Sequence, residues 1–292
     1  MSYRRGVVLV LCAGVLWSLM GLIVRQIDTA GTASVVFWRS AGLAPVIWAF
    51  VHWRSGGQSL RAIRAAGWAG VIGGAGLSMA YIGAIYALQV TTVANAVFLF
   101  SAASFMAAFL GMVLLGERVW PATWATMGLA ALGIFVMIGG GVEAGRIDGN
   151  LAALVSALGF AIFTVALRWG NVGDMLPAIL LGALMSMAAA AVLAGIWGQS
   201  LMAPPRDIAI AMAMGAGNLA GGMVLYTLGS RAMAAAELTL LSSIENILAP
   251  LWVWLLLGES AQASTWAGGM MVLAAVALNA IAGARRQGAS QR

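Results

Sequence analysis

The sequence predicts an all-α membrane protein of ten transmembrane helices, arranged as two inverted five-helix repeats. Three observations predict it. Of 292 residues, 62% are hydrophobic and only 8% are charged, against about 25% charged in soluble domains. The chain divides into apolar runs long enough to cross a ~30 Å hydrocarbon core, separated by short polar breaks. One of those runs also recurs in altered form. Asn95 to Glu117 (NAVFLFSAASFMAAFLGMVLLGE) and Glu237 to Glu259 (ELTLLSSIENILAPLWVWLLLGE) share their frame. A shift of 142 (259 − 117) puts Gly116-Glu117 on Gly258-Glu259, Leu114-Leu115 on Leu256-Leu257, Ser101 on Ser243 and Trp124 on Trp266.

Taken in order, the runs place spans at 6–24, 33–52, 67–88, 92–115 and 121–140, then at 150–168, 176–197, 207–229, 237–257 and 265–284. The first follows Arg4-Arg5 as a signal peptide would, but its apolar run is too long and carries no clear cleavage site, so it reads as a retained helix. The second contains Arg39, and the third and eighth share Gly74-Ala75-Gly76 and Gly215-Ala216-Gly217 at a shift of 141. The spacings Gly70-x-x-x-Gly74 and Gly217-x-x-x-Gly221 are those of close helix contacts. Trp17 and Arg25 fall on Phe160 and Arg168 at a shift of 143, tying the first span to the sixth. The loop 141–149 is the natural joint, giving one repeat over 1–145 and a second over 146–292. Five spans per repeat is odd, so the second repeat enters the membrane in the opposite sense. Inverted repeats of this kind characterise alternating-access transporters with a site near the midplane.

All fifteen basic residues are Arg. With the N-terminus inside, eleven fall on the cytoplasmic side (Arg4, Arg5, Arg54, Arg61, Arg64, Arg118, Arg168, Arg231, Arg285, Arg286, Arg292), and Arg25, Arg146 and Arg206 fall outside. That bias predicts a multi-pass protein of a bacterial cytoplasmic membrane with both termini cytoplasmic. It also accounts for the net charge of +6 without a nucleic-acid partner. The single Cys12 excludes an intrachain disulfide, and the single His52, at a helix end beside Trp53, excludes a multi-histidine metal site. No phosphate loop, zincin motif or nucleophile elbow appears, so no enzyme, metal or cofactor is expected. Trp53, Trp68, Trp120, Trp124 and Trp266 lie at helix ends and read as an interfacial belt.

The paired helix ends LLGERVWPATW (114–124) and LLGESAQASTW (256–266), with Ala249-Pro250 in the ninth span, resemble the drug/metabolite transporter superfamily in its EamA-type, ten-helix form. The resemblance spans the whole chain, and the first repeat departs from it by lacking the mid-helix proline. It implies transport, since similar proteins export amino acids and other metabolites, the YddG-like aromatic amino acid exporters among them. Sugar-phosphate and nucleotide-sugar carriers share the superfamily, and small multidrug pumps are distant relatives.

Candidate site residues follow from polar groups at membrane depth, which are costly unless they face protein or water. Glu245 is the one carboxylate well inside a span, eight residues past Glu237 and so about 12 Å deep. It is suited to a substrate ammonium or a coupling proton; the alternative is a structural pair with Arg39, its one available charge partner. Arg39 is in turn suited to a substrate carboxylate or to anchoring helices. Ser242, Ser243 and Asn246 share a broad face with Glu245, and Pro250 removes the hydrogen bond to the Asn246 carbonyl, marking a hinge. Asn95, Asn218 and Ser101 serve equally as helix glue or ligand contacts. Trp17, Tyr81, Phe98, Phe160, Phe163 and Tyr226 are candidates to line a cavity for an aromatic or apolar substrate, although each alone more often packs. Glu117 and Glu259 read as turn and gate elements. One acid and one base in the membrane match a zwitterion, so the preferred reading is a monomeric exporter of neutral aromatic or hydrophobic amino acids. The alternative is a multidrug or organic-cation exporter using Glu245 with the aromatics. A phosphate carrier needs several inward cations, and only Arg39 is available.

Overall fold

The computed structural model describes residues 3–143, 147–230, 241 and 244–290. Among them, nine helices are long and apolar enough to cross a membrane: Tyr3–Val24, Thr32–Arg54, Gly67–Val90, Val93–Leu115, Pro121–Gly139, Ile147–Trp169, Leu176–Trp197, Pro205–Gly229 and Ala263–Ala282. A shorter apolar helix, Ile244–Leu257, occupies the ninth place. Helix bounds and expected spans agree closely because Arg, Pro and Gly punctuate the sequence where the apolar runs stop. Helix Ser59–Ala65, between the second and third spans, had no counterpart in the sequence reading.

The duplication is visible in the backbone. The fourth span ends at Gly116, φ 67°, and the ninth at Gly258, φ 68°, a left-handed conformation that glycine adopts without a Cβ penalty. The Glu117 N–H then donates to the Gly111 carbonyl and the Glu259 N–H to the Val253 carbonyl, both at 3.2 Å. Donors and acceptors are each separated by 142 (259 − 117 and 253 − 111). The two copies lie at opposite ends of the molecule. The fourth span begins with the Val93 N–H donating to Glu259 and ends beside Glu117, 23 residues on, which at 1.5 Å per residue is about 34 Å. The repeats are therefore inverted. Arg25 and Arg206, which pairs with Asp28, gather near the Glu259 end. Arg168 gathers at the other end with Glu117, and Arg54 pairs with Asp174 just past the sixth span.

Three spans depart from regular α geometry. The first is interrupted at Leu19, between Tyr3–Ser18 and Met20–Val24. The fourth breaks at Ser101-Ala102, between Val93–Phe100 and Ala103–Leu115, although no proline is present. The eighth winds as a π-helix over Met214–Ala220. The ninth, by contrast, remains helical through Pro250, which is buried. Proline removes one hydrogen bond, and the helix packs against the first and fourth spans.

Close packing rests on glycine, though not wholly at the spacings expected. Gly74 does back onto Leu181 and Gly182 of the seventh span, but Gly217 faces open space. The tight crossing in this region instead joins the second and eighth spans: a Cβ on Gly42 collides with the Met212 carbonyl, and one on Gly215 with the Arg39 carbonyl. Backbone cannot yield as a side chain does. Gly215→Ala is therefore expected to cost about 1–3 kcal/mol by overpacking, read as a lowered midpoint of thermal unfolding in detergent, whereas Gly217→Ala should leave it unchanged.

Candidate functional site

The central group is built where the first, second, third and eighth spans converge. Trp17 lies with its ring tilted 41° against Tyr226, centroids 5.5 Å apart. The Trp17 indole also seats on Gly222, where a Cβ would displace it. Tyr226 is within electrostatic reach of Glu245, which sits half-buried in the first turn of Ile244–Leu257 with Asn246 beside it. Fourteen residues separate Glu245 from Glu259 (259 − 245), putting the carboxylate about 21 Å below that end of the molecule.

Tyr81 and Phe163 are buried in one apolar cluster, with Trp17 packed against it. Over the Tyr81 ring, 4.5 Å from its centroid, lies the Arg39 guanidinium. A cation on an aromatic face gains roughly 0.5–2 kcal/mol, far less than the several kcal/mol that burying an ion costs. Arg39 is 1% exposed. Its Nη1 approaches the Met20 sulfur at 4.0 Å, while Nε and Nη2 have no hydrogen-bond partner. Among the described residues no carboxylate lies within ion-pair distance of Arg39. The Glu245–Arg39 pair is therefore absent among the described residues, and the guanidinium is held over Tyr81.

Unpaired polar atoms concentrate in the same region. Trp17 Nε1, Tyr81 OH, Ser40 Oγ and Asn218 Oδ1 are buried without protein partners. Asn218 sits within the π-helix, and its amide donates to the Leu16 carbonyl, just before the interruption in the first span. Single-turn π segments are frequent at functional sites because they re-aim side chains. The sequence reading missed this feature. It also missed the Trp252 Nε1 bond to Ser18 Oγ, 2.9 Å, which ties the ninth span to the first beside the Leu19 interruption.

Other candidates are placed elsewhere. Phe98, 1% exposed, is packed edge-on against Trp266 and seated on Gly269 of the tenth span; its apolar surface is consumed by that packing, so it lines no part of the central group. Asn95 donates to Asn150 of the sixth span and to Thr91 Oγ1 at 3.2 Å, joining helices near the Arg25 end. These contacts are those of helix glue. Asn95→Ala should accordingly lower thermal stability by about 1 kcal/mol or less and leave the transport rate of surviving protein intact. Phe160 stacks at a tilt on Phe163, 5.7 Å away, but is itself 42% exposed. Ser101 lies in the fourth-span break, its hydroxyl on the Val97 carbonyl. Ser242 and Ser243 lie outside the described residues. His52 hydrogen-bonds Ser59 at 2.8 Å and stacks on Trp48, and the five belt tryptophans are all exposed.

Comparison with known proteins agrees with this architecture. The model of the EamA-like transporter family matches twice, over residues 4–139 and 147–281. A solved structure titled only "Crystal structure of protein" superposes with a TM-score of 0.66 at 20% identity, covering 95% of this chain and 97% of that one. At that identity it speaks to the fold alone. No curated protein matches the chain.

Proposed function

Since the chain belongs to the EamA-like transporter family, and is thereby a membrane transporter of small molecules, we propose that its cargo is a neutral amino acid with an aromatic or large apolar side chain, exported by alternating access. The observation that carries this reading is the separation of the two charges, Arg39 buried and Glu245 half-buried. Arg39 has guanidinium nitrogens without partners and Glu245 is not its counterion. A zwitterion satisfies both: its carboxylate takes Arg39, its ammonium takes Glu245, and its side chain lies among Trp17, Tyr81, Phe163 and Tyr226. An organic cation leaves the Arg39 nitrogens unsatisfied, and a phosphate ester leaves Glu245 repelling it. Charge-assisted hydrogen bonds in a dry site contribute roughly 1.5–3 kcal/mol each, so removing either end of the ligand should weaken binding about 10- to 100-fold.

Ligand-induced thermal stabilisation of detergent-purified protein tests this. Phenylalanine should raise the unfolding midpoint, while phenethylamine, lacking the carboxylate, and phenylacetate, lacking the ammonium, should be far weaker. Equal stabilisation by phenethylamine and phenylalanine contradicts the zwitterion reading in favour of the organic-cation one. Family likeness supports export and the arginine distribution supports the sidedness, with the Arg25 end proposed to face outward.

A further inference from the structure

Two ion pairs lie toward opposite ends of the molecule, and the duplication relates them. At one end Arg25 Nε meets Glu259 Oε2 at 2.7 Å. The same guanidinium donates to the Leu88 carbonyl and, at 2.8 Å, to the Thr91 carbonyl, while the other Glu259 oxygen accepts the Val93 N–H at 2.7 Å. At the opposite end Arg168 Nη1 meets Glu117 Oε2 at 2.6 Å and Nη2 donates to the Ala107 carbonyl at 2.9 Å. Arg25 and Arg168 are equivalent between repeats, as are Glu117 and Glu259. The pairing is crossed: the arginine of the first repeat takes the glutamate of the second, and the arginine of the second takes the glutamate of the first.

From this we propose that the two pairs are reciprocal latches, each closing one end of the transport path and each released in the opposite half of the cycle. Three features support the assignment. Both bonds join the repeats, so relative motion of the repeats must strain them. Both glutamates follow a helix end fixed by a left-handed glycine and a backbone hydrogen bond, so each carboxylate moves with its helix as a rigid unit. And each arginine grips backbone carbonyls at the terminus or the middle of another span, Leu88 and Thr91 on one side and Ala107 on the other. The latches are unequal. Arg25 and Glu259 side chains are 23% and 18% exposed, against 39% for each member of the Arg168 pair. The Arg25 end is the tighter closure in this structure, and the Arg168 end opens more readily.

This inference rests on the alternating-access part of the proposed function but on no particular substrate. It is tested in full-length protein carrying Cys12→Ala, which removes the only cysteine. Reporters Ala94→Cys and Ala107→Cys are introduced separately; both positions are buried, at 4% and 8% exposure, one beside each latch. Rates of maleimide labelling are measured in detergent. Glu259→Gln should accelerate labelling of the Ala94→Cys reporter several-fold and leave or slow that of the Ala107→Cys reporter; Glu117→Gln should do the reverse. Should Glu259→Gln fail to give monodisperse protein, Arg25→Lys keeps the charge, loses the multiple grip, and should shift labelling in the same direction by less. Acceleration at both reporters, at neither, or at the wrong one overturns the latches. Labelling needs no substrate, so a failure here with intact amino acid exchange condemns the latches alone, while opposite shifts without exchange would leave the latches standing and remove the substrate assignment.

Discussion

Glu245→Gln is expected to abolish exchange of labelled phenylalanine while the protein remains folded, membrane-inserted and monodisperse. The substitution keeps shape and hydrogen-bonding capacity and removes only the negative charge. If Glu245 holds the substrate ammonium, the loss is that of a charge-assisted hydrogen bond at membrane depth, about 1.5–3 kcal/mol or a 10- to 100-fold rise in KM. If it also carries a coupling proton, turnover stops as well. A structural role predicts a lowered unfolding midpoint with transport by the surviving protein unchanged, whereas the binding role predicts the reverse. Without an Arg39 partner to orphan, neutralising a half-buried carboxylate relieves desolvation, so stability should hold or rise. Transport assays paired with thermal unfolding separate the two, and normal transport by Glu245→Gln removes this residue from the site.

The second large effect concerns Arg39. Replacing a buried charge by an apolar residue of similar length is often neutral or stabilising when no ion pair is lost. Arg39→Met should therefore retain or raise the unfolding midpoint while raising KM for phenylalanine at least about tenfold, the equivalent of 1.4 kcal/mol. Arg39→Lys should recover only part of the affinity, because an ammonium lacks the planar fork that grips a carboxylate in two places. The same variants should leave the weak binding of phenethylamine unchanged, since that ligand has nothing for the guanidinium to hold. A loss of stability with unaltered KM would mark Arg39 as a helix anchor over Tyr81 and nothing more.

Much of the architecture was legible because it is written in long-period features. Apolar runs of about 20 residues fix where helices cross, and the repeated Leu-Gly-Glu fixes the frame between halves so firmly that the same backbone hydrogen bond recurs 142 residues on. What depended on helix rotation was not. Phe98 and Tyr81 look alike in sequence, yet one packs on the tenth span and the other carries Arg39 on its face. The π-helix at Met214–Ala220 shifts every side chain after it, and no periodicity announces it. The fourth span breaks at Ser101-Ala102 without proline, while the ninth stays helical across one. Gly42 and Gly215 make the close crossing that Gly217 does not. Each of these is decided by which neighbour occupies the facing groove.

The most direct test of transport itself uses purified protein in liposomes loaded with unlabelled phenylalanine, following entry of labelled phenylalanine and, separately, of a lipophilic cation. Saturable phenylalanine entry that depends on the internal load, with no cation movement, is the expected result. Cation movement driven by a pH gradient, without phenylalanine exchange, would contradict the account and reassign the aromatic group and Glu245 to an organic-cation exporter.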